Sequence, residues 1–205
     1  MNKTKKLVLA SALTALIAVM AFTPLGYLKV GIFSITFLSV PVAIGAILLG
    51  QWYGLFLGLV FGLTSFVQCF GMDAFGTVLC GINWFGMFVT TIITRAVMGF
   101  LTGLLFRIIS KKDEKKLVSM TVSTVVAGVL NTLLFTGSLL LFFRNADLAG
   151  FSEGLSFADM SVWKIVLFVV ALNPLVEIPV CAFIGTVISK TLYSVVPKFE
   201  KGRKL

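Results

Sequence analysis

The chain has 205 residues, of which 59% are hydrophobic and 12% are charged. A soluble domain has about 45–50% apolar and about 25% charged residues. Together with a mean hydropathy of +1.08, these values exclude a soluble globular enzyme and a disordered chain. One membrane-spanning helix needs about 20 apolar residues. We therefore predict that residues 1–205 form a single integral membrane domain.

Six apolar runs follow one another along the chain, and they predict an all-α membrane protein with six transmembrane helices. The runs cover residues 7–23, 35–49, 52–70, 84–109, 117–143 and 162–193. Three runs open on tryptophans that are typical of interfacial anchors, namely Trp52, Trp84 and Trp163. The outer connections 24–34, 71–83 and 145–161 are predicted to be loops, which either cover a site or simply join helices.

Basic residues are distributed unevenly among the connections. Most of the 17 Lys and Arg residues lie at the N-terminus, in the loop after the fourth run and at the C-terminus. Six spans place these segments on one side of the membrane, so the positive-inside rule predicts that both termini are cytoplasmic. The net charge of +9 then indicates topology and not a nucleic-acid surface. A cleaved signal peptide at the N-terminus is the alternative, and it leaves five spans with the same charge sidedness.

Several kinds of catalytic and cofactor chemistry are excluded. The sequence has no His, which removes Ser-His-Asp and Cys-His catalysis and His-ligated zinc or haem. No P-loop is present. The segment that begins at Gly185 comes nearest to one, but Lys190 stands where the motif requires its second Gly. A pump built on this chain would need ATPases from other chains. We predict no metal and no cofactor.

The three cysteines, Cys69, Cys80 and Cys181, do not form a metal-ligand set. Cys181 lies in an apolar run and is typical of a core residue. Cys69 and Cys80 flank one outer loop. They either pair in an oxidising compartment or remain unpaired small hydrophobic residues.

Small residues recur every fourth position in three runs. These stripes are Gly54, Gly58 and Gly62 in the third run, Gly99 and Gly103 in the fourth, and Ser11 and Ala15 in the first. Such stripes let helices approach closely in lipid. We interpret the glycines as packing of the third run against the fourth. The face around Ser11 and Ala15 is predicted to dock against another membrane protein.

Arg95 lies near the middle of the fourth run, about 16 Å from either end at about 1.5 Å per residue. An Arg at the bilayer centre costs about 2.5–3.5 kcal/mol, so it requires a partner or a wet cavity. Asn131, Asn173 and Glu177 lie at comparable depth. Asn173 precedes Glu177 by four residues, which puts both on one helix face.

These polar residues allow two interpretations. One is a structural ion pair between Arg95 and Glu177 with bridging amides. The other is a polar pocket, open to the outside, in which Arg95, Asn131, Asn173 and Glu177 bind a ligand. Thr64 and Gln68, near the outer end of the third run, are weaker candidates for the same pocket.

Several motifs occur together in one order and spacing. They are residues 4–6 before a small-residue helix, segments 41–50 and 53–65, Arg95 with Gly99 and Gly103, Asn131-Thr132, and residues 173–178. In this combination the chain resembles the substrate-binding S components of energy-coupling factor (ECF) vitamin transporters over nearly its whole length. The resemblance implies a six-helix protein of the bacterial cytoplasmic membrane that is not an enzyme. It also implies binding of a vitamin from outside and partnership with a membrane coupling protein and two ATPases.

Within this family the chain is most similar to the pantothenate type, and riboflavin-type members share much of the pattern. Pantothenate carries a carboxylate, for which Arg95 would supply the opposite charge. The family's first helix usually presents Ala-x-x-x-Ala to the coupling protein, and the matching positions here are Ser11 and Ala15. The family's usual Asn-Pro before the fourth helix is replaced by Asn83-Trp84.

Two other functions are weighed against this one. A membrane enzyme acting on lipid or prenyl substrates is disfavoured, because the sequence has no acidic pair such as Asp-Asp-x-x-Asp and no His base. A self-sufficient carrier or channel is disfavoured because no inverted repeat is evident.

Overall fold

A computed structural model describes residues 3–30, 33–111, 113, 116–144 and 175–195. Within these ranges the chain is helical apart from one short hairpin. The elements are α1 (Lys3–Ala21), β1 (Tyr27–Val30), β2 (Phe33–Thr36), α2 (Ser39–Leu49), α3 (Gln51–Gln68), α4 (Ala74–Ile82), α5 (Trp84–Phe88), α6 (Thr94–Ile109), α7 (Leu117–Phe143) and α8 (Thr186–Val195). A π turn, Val89–Ile93, joins α5 to α6, and a second, Cys181–Gly185, precedes α8.

Four described helices are long and apolar enough to cross a membrane, namely Lys3–Ala21, Trp84–Ile109, Leu117–Phe143 and Leu175–Ser194. The prediction of a helical, multi-span membrane protein is therefore confirmed. The count of six spans and the side on which the termini lie stay predictions. The predicted site residue Asn173 and the anchor Trp163 lie outside the described residues.

Helix α2 is the centre of the bundle. Its 11 residues span about 16 Å, which is shorter than a hydrocarbon core of about 30 Å. All but one of its residues are buried, as expected of a helix that is apolar on every side. It contacts α1, α3, α6, α7 and α8. A short helix in this position carries its first residue, Ser39, into the interior of the bundle.

Two of the predicted outer connections contain secondary structure that the sequence did not predict. Strands β1 and β2 pair antiparallel, with Tyr27 opposite Thr36 and Leu28 opposite Ile35. The predicted start of the second helix at residue 35 was therefore wrong, since α2 begins at Ser39. The β-branched residue Thr36 favours the extended conformation that the pairing requires.

The connection 71–83 contains α4, which the sequence analysis also missed. Asp73 caps this helix, with its Oδ2 accepting a hydrogen bond from the Gly76 N–H at 2.7 Å. Asn83 caps α5 in the same way, with Oδ1 accepting from the Gly86 N–H at 2.9 Å. The residue pair Asn83-Trp84 thus starts the next helix with a side-chain cap.

The glycine stripes of α3 and α6 face each other, as predicted. A Cβ added at Gly54 would lie 2.3 Å from the Gly99 carbonyl oxygen, and one at Gly58 would lie 2.2 Å from the Arg95 carbonyl oxygen. At Gly103 it would lie 2.5 Å from the Gln51 Cα. The two backbones are in direct contact along this seam, a form of packing that drives helix association in lipid.

Asp113 caps the start of α7. Asp113 Oδ2 accepts hydrogen bonds from the Ser119 N–H and the Ser119 Oγ, both at 2.8 Å. The hydrogen bond from the Ser119 backbone lowers the pKa of Asp113 below its ordinary value of 3.8. At this end of the bundle Lys116 Nζ donates to the Tyr193 hydroxyl at 2.5 Å, which ties α7 to α8.

Candidate functional site

Glu177 lies in a polar cluster inside the bundle, with Ser39, Asn131 and Thr132. Its side chain is fully buried, and donors from two other helices surround it. Ser39 Oγ donates to Oε1 at 2.6 Å, and Asn131 Nδ2 donates to Oε1 at 3.0 Å. Thr132 Oγ1 donates to Oε2 at 3.4 Å. The cluster joins α2, α7 and the last described span.

Two of these four residues were predicted site residues, and the structure brings them together. Asn131 and Glu177 are bonded to each other, as their matched depth suggested. Ser39 was missed as a site residue, and Thr132 was noted only as part of a motif. The signal at Ser39 was weak, since a single serine at the start of an apolar run is also typical of a helix end.

Arg95 lies on α6, just after the π turn. Its Nη1 donates to the carbonyl oxygens of Thr90 at 3.0 Å and Thr91 at 3.1 Å. In this turn the Thr94 N–H bonds to the Val89 oxygen, five residues back. Such a turn shifts the pattern of backbone pairing and is frequent at functional sites. The guanidinium is therefore held against its own helix by backbone oxygens.

Aromatic rings complete the surroundings of Arg95. Its Cζ lies 4.7 Å from the centroid of the Phe61 ring and 5.2 Å from that of Phe135. Both distances are within the range of a cation–π interaction. The residue is only 8% exposed, and its Nε is buried without a hydrogen-bond partner. This nitrogen is an unsatisfied donor inside the bundle.

Arg95 and Glu177, which one interpretation paired through bridging amides, form no direct salt bridge among the described residues. In the described part of the chain Arg95 bonds to the Thr90 and Thr91 carbonyls, and Glu177 bonds to neutral donors. On α7, Asn131 touches Glu177 and Phe135 lies against Arg95. These two residues are four positions, about one helical turn, apart on α7, so one helix contacts both charged side chains.

Side chains from the hairpin and α3 also meet inside the bundle. The Tyr27 hydroxyl and Ser65 Oγ lie 3.2 Å apart, and burial raises the pKa of Tyr27 above 10. Gln68 Nε2 donates to the Ala21 carbonyl oxygen. Thr64 Oγ1 donates to the Phe61 carbonyl oxygen of its own helix at 2.8 Å. Gln68 and Thr64 thus bond to backbone oxygens and not to Arg95 or Glu177.

The predicted docking residues Ser11 and Ala15 line an open apolar groove between α1 and α3. The cavity has a volume of about 580 Å³. Its lining residues are Leu7, Ala10, Ser11, Thr14, Ala15, Ala18, Trp52, Tyr53 and Phe56. Ser11 Oγ donates to the Leu7 carbonyl oxygen at 2.9 Å, which leaves the groove surface largely apolar.

All three cysteines are free thiols, with Cys69 and Cys181 buried. Cys69 and Cys80 belong to one apolar cluster that includes Leu79 and Met87. They therefore act as small hydrophobic residues, one of the two interpretations left open by the sequence. Among the described residues, no group of three or more Cys, Asp or Glu side chains could hold a metal ion.

This arrangement can be compared with known proteins. The family model described as "ECF transporter, substrate-specific component" matches residues 5–189. The chain belongs to this family. A solved structure of ThiT from Listeria monocytogenes is similar in fold, with a TM-score of 0.58 and 19% sequence identity over 93% of this chain and 96% of that one. No curated protein sequence matches the chain.

As an ECF S component, the chain is an integral membrane subunit for vitamin uptake and not an enzyme. Members of this family bind small vitamins and associate with the ECF module in the membrane. The predicted family is therefore confirmed. The alternative of a lipid- or prenyl-modifying enzyme is set aside by the same result.

Proposed function

We propose that this chain is the substrate-binding subunit for uptake of a small water-soluble vitamin, with pantothenate as the favoured ligand. The observation that carries the proposal is Arg95, a buried cation whose hydrogen bonds in the described part of the chain go only to backbone oxygens. A charge held in the interior without a hydrogen-bonded counter-charge is costly. A ligand carboxylate would supply the missing partner. Riboflavin or another vitamin of the same family is the alternative ligand.

The other predicted site residues take different roles in this proposal. Asn131 and Glu177 form the inner end of the pocket. Ser39 and Thr132 hold the Glu177 carboxylate in place there. Asn173, four residues before Glu177, is proposed to contact the ligand from the same helix face. Thr64 and Gln68 are proposed to shape the outer entrance.

The energy for uptake is proposed to come from a membrane coupling protein and two ATPase subunits. The chain itself has no P-loop. The groove formed by α1 and α3 offers a surface for the coupling protein, because Ser11 and Ala15 leave room for a close helix contact. The proposed location is the bacterial cytoplasmic membrane, with both termini on the cytoplasmic side.

Substitution of Arg95 tests the ligand assignment. Arg95→Lys keeps the positive charge but cannot form the bidentate contact that a guanidinium makes with a carboxylate. We expect it to weaken pantothenate binding about tenfold or more, which is roughly 1.4 kcal/mol, and Arg95→Ala to weaken binding further. Isothermal titration on purified, folded variants measures the effect.

The matched control is Arg107→Lys, an exposed position near the end of α6 where no effect on binding is expected. Native mass spectrometry of gently purified protein identifies the vitamin that is actually carried. Unchanged affinity in Arg95→Lys for that vitamin would show that Arg95 is structural and that the pocket lies elsewhere.

The proposed topology has its own test. A cysteine at Ser110, in the loop between α6 and α7, is expected to resist a membrane-impermeant maleimide in intact cells, because the positive-inside rule puts this loop in the cytoplasm. A cysteine at Met72, which is exposed in the connection before α4, is expected to react. The unmodified chain measures background labelling of the native cysteines. Strong labelling at Ser110 in intact cells would reverse the proposed orientation.

A further inference from the structure

The last described span, Leu175–Ser194, packs against α7 in an antiparallel arrangement. Midway along this contact Gly185 faces Thr124, since a Cβ added at Gly185 would lie 2.9 Å from the Thr124 Cγ2. At the end of the bundle where α7 begins, Lys116 meets Tyr193. The contact between the two helices therefore ends in a lysine and a tyrosine.

Lys116 is held at this place by its side chain. Its Nζ donates to the Tyr193 hydroxyl at 2.5 Å and lies 4.9 Å from the centroid of the Tyr193 ring. The second distance is within the range of a cation–π interaction. An ammonium group has three N–H donors, and the Tyr193 hydroxyl accepts one of them. The positive charge is thus positioned at the junction of α7 and α8, with donors left for an acceptor from outside the chain.

Lys190 brings a second positive charge to the same junction. It precedes Tyr193 by three residues on α8, so the two side chains are neighbours on the helix surface. The adjacent Ser189 is fully buried, whereas Lys190 is exposed. In a membrane-spanning helix an exposed side faces lipid. Lys190 therefore lies on the lipid-facing side of α8, next to the tyrosine that holds Lys116.

Positive charge is in excess at this end of the bundle. Arg107 and Lys111 are exposed there as well. Asp113 is the acidic residue that the structure describes at this end, and it is already used as a cap. Its Oδ2 accepts hydrogen bonds from the N–H and the Oγ of Ser119. The charge of the described surface is complemented by an anionic partner.

The flank next to these lysines is apolar. Phe183 and Val187 are exposed, and they precede Lys190 by seven and three residues, which puts all three on one stripe of the last span. Leu117 is exposed on α7 beside Lys116. A partner that fits this surface has a negative group joined to a long apolar body. A soluble anion or an acidic peptide has only the first.

We propose that the junction formed by Lys116, Lys190 and Tyr193, with the apolar stripe of Phe183 and Val187, binds an anionic glycerophospholipid. The lipid phosphate accepts from the two ammonium groups, and an acyl chain lies along the stripe. Lysines at a membrane surface attract anionic lipids, and tyrosine is typical of the membrane interface. This inference goes beyond the proposed function, because it requires neither a vitamin nor a coupling protein.

The test is native mass spectrometry of the purified, delipidated full chain with two lipids that carry identical oleoyl chains, phosphatidylglycerol and phosphatidylcholine. We expect the wild type to bind phosphatidylglycerol about twentyfold more tightly. Lys116→Gln and Lys190→Gln are each expected to reduce this preference about fivefold, because each removes one charge near the lipid phosphate. The double variant is expected to bind both lipids equally, and Lys116→Arg, which keeps the charge, is expected to retain the preference.

Lys3→Gln is the matched control. It makes the same change of charge at an exposed position on α1, which packs against α2 and α3, and it is expected to keep the full preference. Phosphatidylglycerol is expected to raise the melting temperature of the wild type, since a ligand of the folded state stabilises it, and to leave that of the double variant unchanged. Thermal unfolding without added lipid confirms that each variant is folded.

The outcomes separate a lipid site from other effects of charge. An equal loss of preference in Lys3→Gln and Lys190→Gln means diffuse attraction by the whole surface and overturns the proposal. Equal binding of the two lipids by the wild type overturns it as well. Displacement of phosphatidylglycerol by millimolar glycerol 3-phosphate would show a soluble-anion site instead of a lipid site. Each of these results leaves vitamin binding, measured separately by titration, unaffected.

Discussion

Replacing Gly58 with Leu is expected to prevent the close packing of α3 against α6 and to abolish folded protein. A Cβ at this position would lie 2.2 Å from the Arg95 carbonyl oxygen and 2.9 Å from the Arg95 carbonyl carbon. These atoms are backbone and cannot move aside as a side chain would. The helices would have to separate along the whole seam, where a Cβ at Gly54 or Gly99 would lie 2.3 or 2.1 Å from the facing carbonyl oxygen.

Gly58→Ala is the milder version of the same change. Overpacking a core typically costs about 1–3 kcal/mol, and a clash between backbones belongs at the upper end of that range. We expect a clear fall in the melting temperature of the detergent-purified protein, together with weaker ligand binding, because the displaced backbone carries Arg95. Fluorescence-detected size exclusion after heating measures the first effect, and isothermal titration measures the second.

Gly137→Ala is the matched control for this prediction. Gly137 also lies inside a long helix, α7, but a Cβ added there meets no atom within 4 Å. Alanine in a helix is favoured over glycine by about 0.8–1.0 kcal/mol, so this variant is expected to be at least as stable as the wild type. Equal melting temperatures for Gly58→Ala and Gly137→Ala would mean that the seam does not stabilise the bundle.

Periodicity along a single helix was enough to predict this seam. Glycines spaced by four residues in two neighbouring runs leave few alternatives to mutual packing in lipid. The depths of Arg95, Asn131 and Glu177 in the membrane could also be predicted from the sequence. The rise per residue of a helix converts a sequence position into a height in the membrane. The family resemblance carried the same motifs and was confirmed over residues 5–189.

The partners of the polar side chains could not be predicted in the same way. Depth places Arg95 and Glu177 at similar heights, but it does not state where each lies around the bundle. That angular position depends on how α2 and α7 pack. One interpretation of the sequence made Arg95 the partner of Glu177. In the structure a hydrogen-bond partner of Glu177 is Ser39, which the short central helix α2 carries.

Local backbone irregularities were also beyond the reach of the sequence. The π turn Val89–Ile93 adjoins the position of Arg95, yet its residues are ordinary for a membrane helix. Such a turn is stabilised by tertiary contacts, and here Thr90 also bonds across to Ser138 on α7. The hairpin and α4 were missed for a related reason, since short elements in a connection carry little periodicity.

Replacing Ala15 with Trp is expected to reduce vitamin uptake at least about tenfold, which corresponds to roughly 1.4 kcal/mol of lost association free energy. Ala15 lines the groove on α1, opposite Trp52 and Phe56 on α3. An indole in this position would fill the space that a partner helix needs. Ligand binding to the purified subunit is expected to be unchanged, because Leu13 and Ile17 lie on the buried face of α1 and keep their packing.

Leu16→Trp is the matched control, since Leu16 is 45% exposed on the same helix and does not line the groove. Uptake of labelled vitamin by cells that also produce the coupling protein and ATPases measures transport, and co-purification measures assembly. The docking proposal requires that Ala15→Trp impairs both while Leu16→Trp impairs neither. If Ala15→Trp instead abolishes ligand binding in a folded protein, this face of α1 belongs to the vitamin pocket, and the coupling protein must dock elsewhere.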